Sequence, residues 1–269
     1  MNYKLRTNKA FTLIELVVAI AILVMMISFA SVIFKVSINT YRTATANTEI
    51  MQKLRAITDQ LNADFKGVRR SFPGKARHIL SGLIRSDSIA FLANGDFQST
   101  GQPFGRTVVG NVASIFYGLA DPPMAAPKDK ILVRRQKILT FDSSLPFLDP
   151  NNPLGVDEEY CTWSLSEWGV RPPAPNIWLQ KPVIDSNDPR DLVMYMAKGV
   201  DDFAIQFARW DPFFGNYTWW PDNQQISGLG PQPLQPVNAN AIKFTFTLYD
   251  SKGIIKNGRL FTHIIYLRD

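Results

Sequence analysis

Cysteine and histidine are almost absent from this 269-residue chain, with one Cys at 161 and two His at 78 and 263. A single cysteine excludes an intrachain disulfide, so a body of this size must be held by its own core. Cys161 stands near Trp163 with no basic neighbour in sequence, and it reads as a small buried residue rather than a nucleophile. His263 alternates with apolar residues beside Ile264 and Ile265, as a packed or edge-facing strand histidine would. No His-x-x-x-His pair, glycine-rich phosphate loop or nucleophile elbow occurs. We therefore assign no catalytic residue, metal ligand or cofactor, and a membrane-anchored periplasmic enzyme is the remotest of the readings. Internal repeats and low-complexity tracts are lacking as well.

A large charge excess is also missing. The formal charge of +6 includes Lys4, Arg6 and Lys9, and residues 1–10 hold no acid. Without those ten residues 26 basic side chains face 23 acidic ones, too small an imbalance to expect nucleic acid as a partner.

What the chain does have is one long uncharged run. From Leu16 to Phe34, 19 consecutive residues carry no charge and almost all are apolar, enough to cross a hydrocarbon core of about 30 Å as a helix. The basic, acid-free stretch before it favours a cytoplasmic N-terminus and export of the chain beyond Phe34. No Pro or Gly ends the run. Beyond Lys35, Ile50, Leu54, Ile57, Leu61 and Phe65 recur at three- and four-residue steps, with Lys53, Arg55, Asp59, Gln60 and Asp64 between them. The first stop signals are Gly67 and Pro73-Gly74. One helix from about Thr12 to Lys66 is predicted, roughly 80 Å long at 1.5 Å per residue.

After Gly67 the pattern becomes that of strands: Ser88–Leu92, Thr107–Tyr117 and Ile131–Leu139. The stretch from Asp142 to Asp191 is rich in Pro, Asn and Asp and is expected to form long ordered loops with short elements. Further on, Phe203, Ile205 and Phe207 alternate with small or polar residues, as do Ile242, Phe244, Phe246 and Leu248. With Leu260–Leu267 these make an antiparallel meander. The ring-rich segment Phe213-Phe214, Tyr217 and Trp219-Trp220 is expected to anchor core or loops rather than form an exposed contact patch, with at least one Trp ring pointing inward. Asp149, Asn151, Asn152, Asp157, Glu158 and Glu159 form an oxygen-rich loop. Tyr160 stands twelfth from Asp149, which is not EF-hand spacing, and a solvated loop is preferred over a calcium site.

The junction Lys9-Ala10-Phe11-Thr12-Leu13-Ile14-Glu15-Leu16 carries the functional signal. A carboxylate at mid-bilayer costs about 2.5–3.5 kcal/mol on translocon scales and less near the interface, so Glu15 calls for a reason. A short basic leader, then Phe-Thr-Leu-Ile-Glu, then an unbroken apolar span resembles the prepilin junction of type IV pilins and type II secretion pseudopilins. That resemblance implies cleavage between Ala10 and Phe11 by a prepilin peptidase, N-methylation of Phe11, and a subunit-assembly role for Glu15, its carboxylate meeting the α-ammonium of a neighbouring subunit. Ala10 departs from the glycine usual before the cut. The competing reading is an ordinary secretory signal cut after Ser28-Phe29-Ala30, which leaves Glu15 and the continuing amphipathic helix without a purpose.

Later patterns are similar to the J-type minor pseudopilin: Phe72-Pro73-Gly74 followed by Ile89–Leu92, then Val200–Phe207 with Trp219-Trp220 after it, and the closing hairpin of Ala241–Tyr249 with Phe261–Leu267. The resemblance implies an α+β, loop-rich, pilin-like fold with its long N-terminal helix packed on antiparallel β-sheet. It divides the chain into a leader (1–10), a transmembrane half-helix (11–34), an amphipathic half-helix (35–66) and an exported β-rich body (67–269). Its implied place is single-pass in the inner membrane with the body in the periplasm. The implied partners are other minor and major pseudopilins of I, K and G type, the prepilin peptidase and the inner-membrane secretion platform. The alternative is a minor pilin of a type IV pilus serving motility, adhesion or DNA uptake.

Overall fold

The computed structural model describes residues 12–68, 74–81, 84–100, 105–120, 126–140, 142, 144–145, 159–162, 181–182, 184, 191, 193–211, 215–221, 233–234 and 239–267. Between Thr12 and Lys66 there is neither Gly nor Pro, and one helix, α1, runs without a break over Leu13–Phe65. It ends two residues before Gly67. At that glycine an added Cβ would meet the Asn94 carbonyl oxygen at 2.6 Å, so the chain passes β-sheet backbone too closely for any side chain. Contacts divide the chain into two units, residues 1–45 and 46–269.

In the first unit every described residue is exposed. The Ser28 and Ser31 hydroxyls donate to the carbonyls of Val24 and Ile27, at 2.8 and 2.9 Å, so these polar groups are satisfied within the helix, as a lipid-facing helix requires.

The second unit holds the rest of α1 and thirteen described strands. In chain order these are β1 (Gly74–Arg77), β2 (Leu80–Ser81), β3 (Ile84–Arg85), β4 (Ser88–Gln98), β5 (Val109–Leu119), β6 (Ile131–Leu139), β7 (Tyr160–Cys161), β8 (Tyr195–Lys198), β9 (Val200–Asp211), β10 (Asn216–Trp220), β11 (Pro233–Leu234), β12 (Ala241–Leu248) and β13 (Arg259–Tyr266). They form two main sheets, ordered β11-β1-β4-β5-β6-β7 with β8 also on β6, and β10-β9-β12-β13; β2 and β3 make a small hairpin. Every pair is antiparallel except β6 with β7. The expected meander β9-β12-β13 is present, extended by β10 on the far side of β9. The body thus has two sheets where the sequence pattern predicts a single antiparallel packing surface.

Both sheets share one core with the helix. Ile50, Ile57, Leu61 and Phe65 are 0–3% exposed, and Phe65 joins the two sheets: its ring stacks on Phe91 of β4 at 4.1 Å and lies 5.7 Å from Phe244 of β12. Burying a side chain of this size contributes about 1.5–3 kcal/mol. A helix-surface ion pair such as Lys53–Glu49 gives only ~0.2–0.5 kcal/mol, so apolar burial fixes the helix in place.

Candidate functional site

Thr12 and Glu15 cap the start of α1. The Thr12 amide and hydroxyl each donate to Oε2 of Glu15 at 3.0 Å, and the Glu15 amide donates back to the Thr12 hydroxyl at 3.3 Å. This reciprocal Thr-x-x-Glu arrangement is a capping box, which satisfies helix N–H groups that have no intrahelical partner. The expectation that Glu15 would have no use in a lone helix is therefore corrected: the carboxylate has a local structural role. Ala10 and Phe11, the expected cleavage and methylation residues, lie outside the described residues.

Downstream of the cap the helix presents apolar surface on all sides. Leu13, Ile14, Leu16, Val17, Val18 and Ile20, and onward to Phe34, Val36 and Ile38, are all half or more exposed. This segment is long and apolar enough to cross a membrane, and none of it is buried within the chain. A helix that is apolar all round needs lipid or other helices as its surroundings.

The second half of α1 is tied to the body by polar contacts as well as by its apolar stripe. The sequence pattern puts Asp64 among the solvated positions; instead it is 5% exposed and accepts both Nε and Nη2 of Arg134, at 2.7 and 2.8 Å. It also accepts the Tyr117 hydroxyl and, at 3.1 Å, the Gln60 amide. The physical reason is position: three residues from Leu61 and adjacent to Phe65, Asp64 falls on the buried stripe, where a charge must be paired. Burial, together with the neighbouring Asp64 carboxylate, pushes the Tyr117 phenol well above its ordinary value. For Arg134, burial opposes the charge, but its bonds to Asp64 prevail and its pKa is raised. Nearer the first unit, Lys53 donates to the Tyr249 carbonyl at 2.9 Å, and Glu49 accepts the Ser251 amide and hydroxyl.

Both histidines and the described aromatic rings make contacts within the body. His78, Arg85 and Asp87, at 3, 4 and 0% exposed, form a buried cluster between the two sheets. Arg85 pairs with Asp87 and donates to the carbonyl of Ile205 at 2.9 Å; Asp87 accepts the Ile205 amide at 2.8 Å and the Ile79 amide at 3.2 Å. The His78 ring meets Asp87 at 3.0 Å through Nδ1. His263 faces Asn62 of α1 at 2.9 Å, and burial lowers its pKa. Cys161 is buried, as expected. Trp220 turns its ring towards His78, while Trp219 is half-exposed beneath Lys243, whose ammonium lies 4.6 Å from the ring centre. Trp210 and Tyr217 are about half exposed, so the described rings of the aromatic segment both pack and show themselves; Phe213 and Phe214 lie outside the described residues. Of the oxygen-rich loop, Asp149, Asn151, Asn152, Asp157 and Glu158 lie outside the described residues. Among the described residues, no three His, Cys, Asp or Glu side chains gather as a metal site would require.

Sequence reasoning missed the capping box and the two buried ionic clusters. The first had a legible signal, Thr-x-x-Glu ahead of an apolar run; Asp64 had one in its phase on the stripe. Arg85 and Asp87 had none, because the Ile205 backbone groups that complete their cluster are more than 100 residues away. No curated protein and no solved structure matches the chain. Residues 5–31 match the family model of the prokaryotic N-terminal methylation motif, so this end of the chain is similar to the leader and helix start of pilin-like proteins and fits a membrane-anchored protein.

Proposed function

We propose that the chain is a structural subunit of a type II secretion pseudopilus, a minor, J-type member processed between Ala10 and Phe11 and carried in the inner membrane until assembly. The observation that carries this reading is the fully exposed apolar half of α1 directly behind a methylation motif. Such a surface suits lipid before assembly and neighbouring helices after it, and it gives the processing step a purpose. The β-rich body then serves as a module for contact with I-, K- and G-type subunits rather than as an enzyme. The J-type choice over a minor pilin of a type IV pilus rests on the Val200–Phe207, Trp219-Trp220 and closing-hairpin patterns.

Single cysteines placed on the exposed apolar face, at Ile20 and Val24, test the reading in the cells that make the protein, since the native Cys161 is buried. Crosslinks to other leader-bearing subunits of a secretion system are expected. Crosslinks only to pilus subunits would assign the chain to a pilus, and a chain recovered solely as a free membrane protein would contradict the assembly role.

A further inference from the structure

The register of the β12–β13 hairpin decides what its outer face shows. Ile242, Phe244 and Phe246 are buried in the core, and His263 faces α1. Alternation along each strand therefore turns Lys243, Thr245 and Thr247 away from the core, opposite Ile264, Thr262 and Leu260. Tyr266 follows on the same side, opposite Ala241. Leu260, Ile264 and Tyr266 are 65, 38 and 78% exposed there. Large apolar side chains lined up on one face, with threonines between and beside them, suit contact with another protein.

What sets this face apart is the cation within it. Lys243 stands half-buried on an interior strand, its ammonium 4.6 Å from the centre of the Trp219 ring. The ring attracts the charge but offers no oxygen to the three N–H donors of the ammonium. Burial, and then the charge of Arg85, lower the pKa of Lys243, and no carboxylate among the described residues offsets them. Neither β12 nor β13 contains an Asp or Glu. A partly desolvated ammonium without a counter-charge is a cost to the body alone, and it is where an incoming carboxylate would bind most strongly.

The same charge pattern narrows the occupant. A second copy presenting this face would set Lys243 against Lys243 with no acid on either side, so charge repulsion opposes self-pairing. Anionic lipid surfaces are held by clusters of several Lys and Arg, and one ammonium among Leu, Ile and Tyr is no such cluster. The complement is an apolar protein surface that carries a carboxylate.

We propose that the outer face of β12–β13 docks a different protein chain, an assembly neighbour of another subunit type, which places an Asp or Glu carboxylate on Lys243 and apolar side chains on Leu260, Ile264 and Tyr266. It rests on the assembly reading above, in which the neighbours are other subunit types.

The test uses the full-length chain in its own membrane, with a photoreactive benzoylphenylalanine in place of the exposed Thr262, and mass spectrometry of what it captures. The expected result is a crosslink to another leader-bearing subunit, at a segment that holds Asp or Glu. Lys243→Glu should lower the crosslinked fraction about tenfold, replacing the neighbour's carboxylate by lysine in that background should restore it, and Lys243→Arg should retain it. Lys243→Gln, which removes the charge without adding another, should show the same loss and serves where the glutamate disturbs folding; protection of the Phe244 and Phe246 amides from exchange reports the fold of each variant. A crosslink only to a second copy or to lipid, a captured segment without an acid, a crosslinked fraction unchanged by Lys243→Glu and Lys243→Gln, or no recovery on charge reversal would overturn the proposal. Assembled, Phe11-processed chains that lack the crosslink would overturn this surface alone, whereas chains that are neither processed nor assembled would overturn the assembly reading and the surface with it.

Discussion

Glu15 has two claims on it, and substitution separates them. The capping box needs only an acceptor oxygen in the place of Oε2, whereas pairing with a neighbour's α-ammonium needs the charge. Glu15→Gln retains the first and removes the second; Glu15→Ala and Glu15→Leu remove both. All three are expected to insert and be cleaved nearly normally, because each takes away a charge that lipid disfavours. All three should also lose co-purification with neighbouring subunits, since breaking one side of a buried pair costs about 3–5 kcal/mol. Normal association of Glu15→Gln with loss in Glu15→Ala would show that the residue acts as a cap only. Asp64 permits a parallel test inside the body. Arg134→Ala leaves a buried carboxylate facing only Tyr117 and Gln60, and it should lower unfolding stability in urea by about 3–5 kcal/mol. An apolar pair, Asp64→Leu with Arg134→Leu, should recover much of that loss; recovery absent in the double variant would mean that the network has further members.

At the scale of elements, Phe65 is the side chain on which α1 and both sheets depend. Phe65→Ala removes the stacking on Phe91 and the contact with Phe244 together, and a loss of about 3–5 kcal/mol is expected in chemical denaturation. The β12–β13 connection depends on Asp250, 1% exposed, which accepts the amides of Ile254 and Ile255 at 2.9 Å each. Burial works to raise its pKa, but these backbone bonds prevail and hold the carboxyl below its ordinary value. A depressed folded pKa means stability that is present above the unfolded carboxylate value, ~3.9, and is lost as pH falls through the lower folded value. Asp250→Asn should therefore cost about 1.5–3 kcal/mol at pH 7, with the gap to the parent narrowing at pH 3. The helix and the strands β9 and β12 are legible in the sequence because each carries its period in its own residues, and Gly67 marks the helix end to within two positions. The division into two sheets is not legible. It depends on pairings such as β1 with β11 and on the Arg85–Asp87 contact with Ile205, where partners lie far apart in sequence. The capping box is visible as spacing, but the leader pattern claims the same glutamate and hides its local role.

For the molecule as a whole, the apolar first half of α1 is exposed while its second half is held by a shared core and ionic contacts. In the first unit, residues 1–45, the described residues are exposed and the run Leu16–Phe34 carries no charge; the second, residues 46–269, contains the described buried core. Such an arrangement is consistent with a life spent first in lipid and then among like helices, and everything in that history begins with the cut that defines the mature N-terminus. Mass spectrometry of the N-terminal peptide from membrane-extracted protein tests this most directly: the account predicts a chain beginning at N-methylated Phe11, and a chain beginning at Ser31 would contradict it.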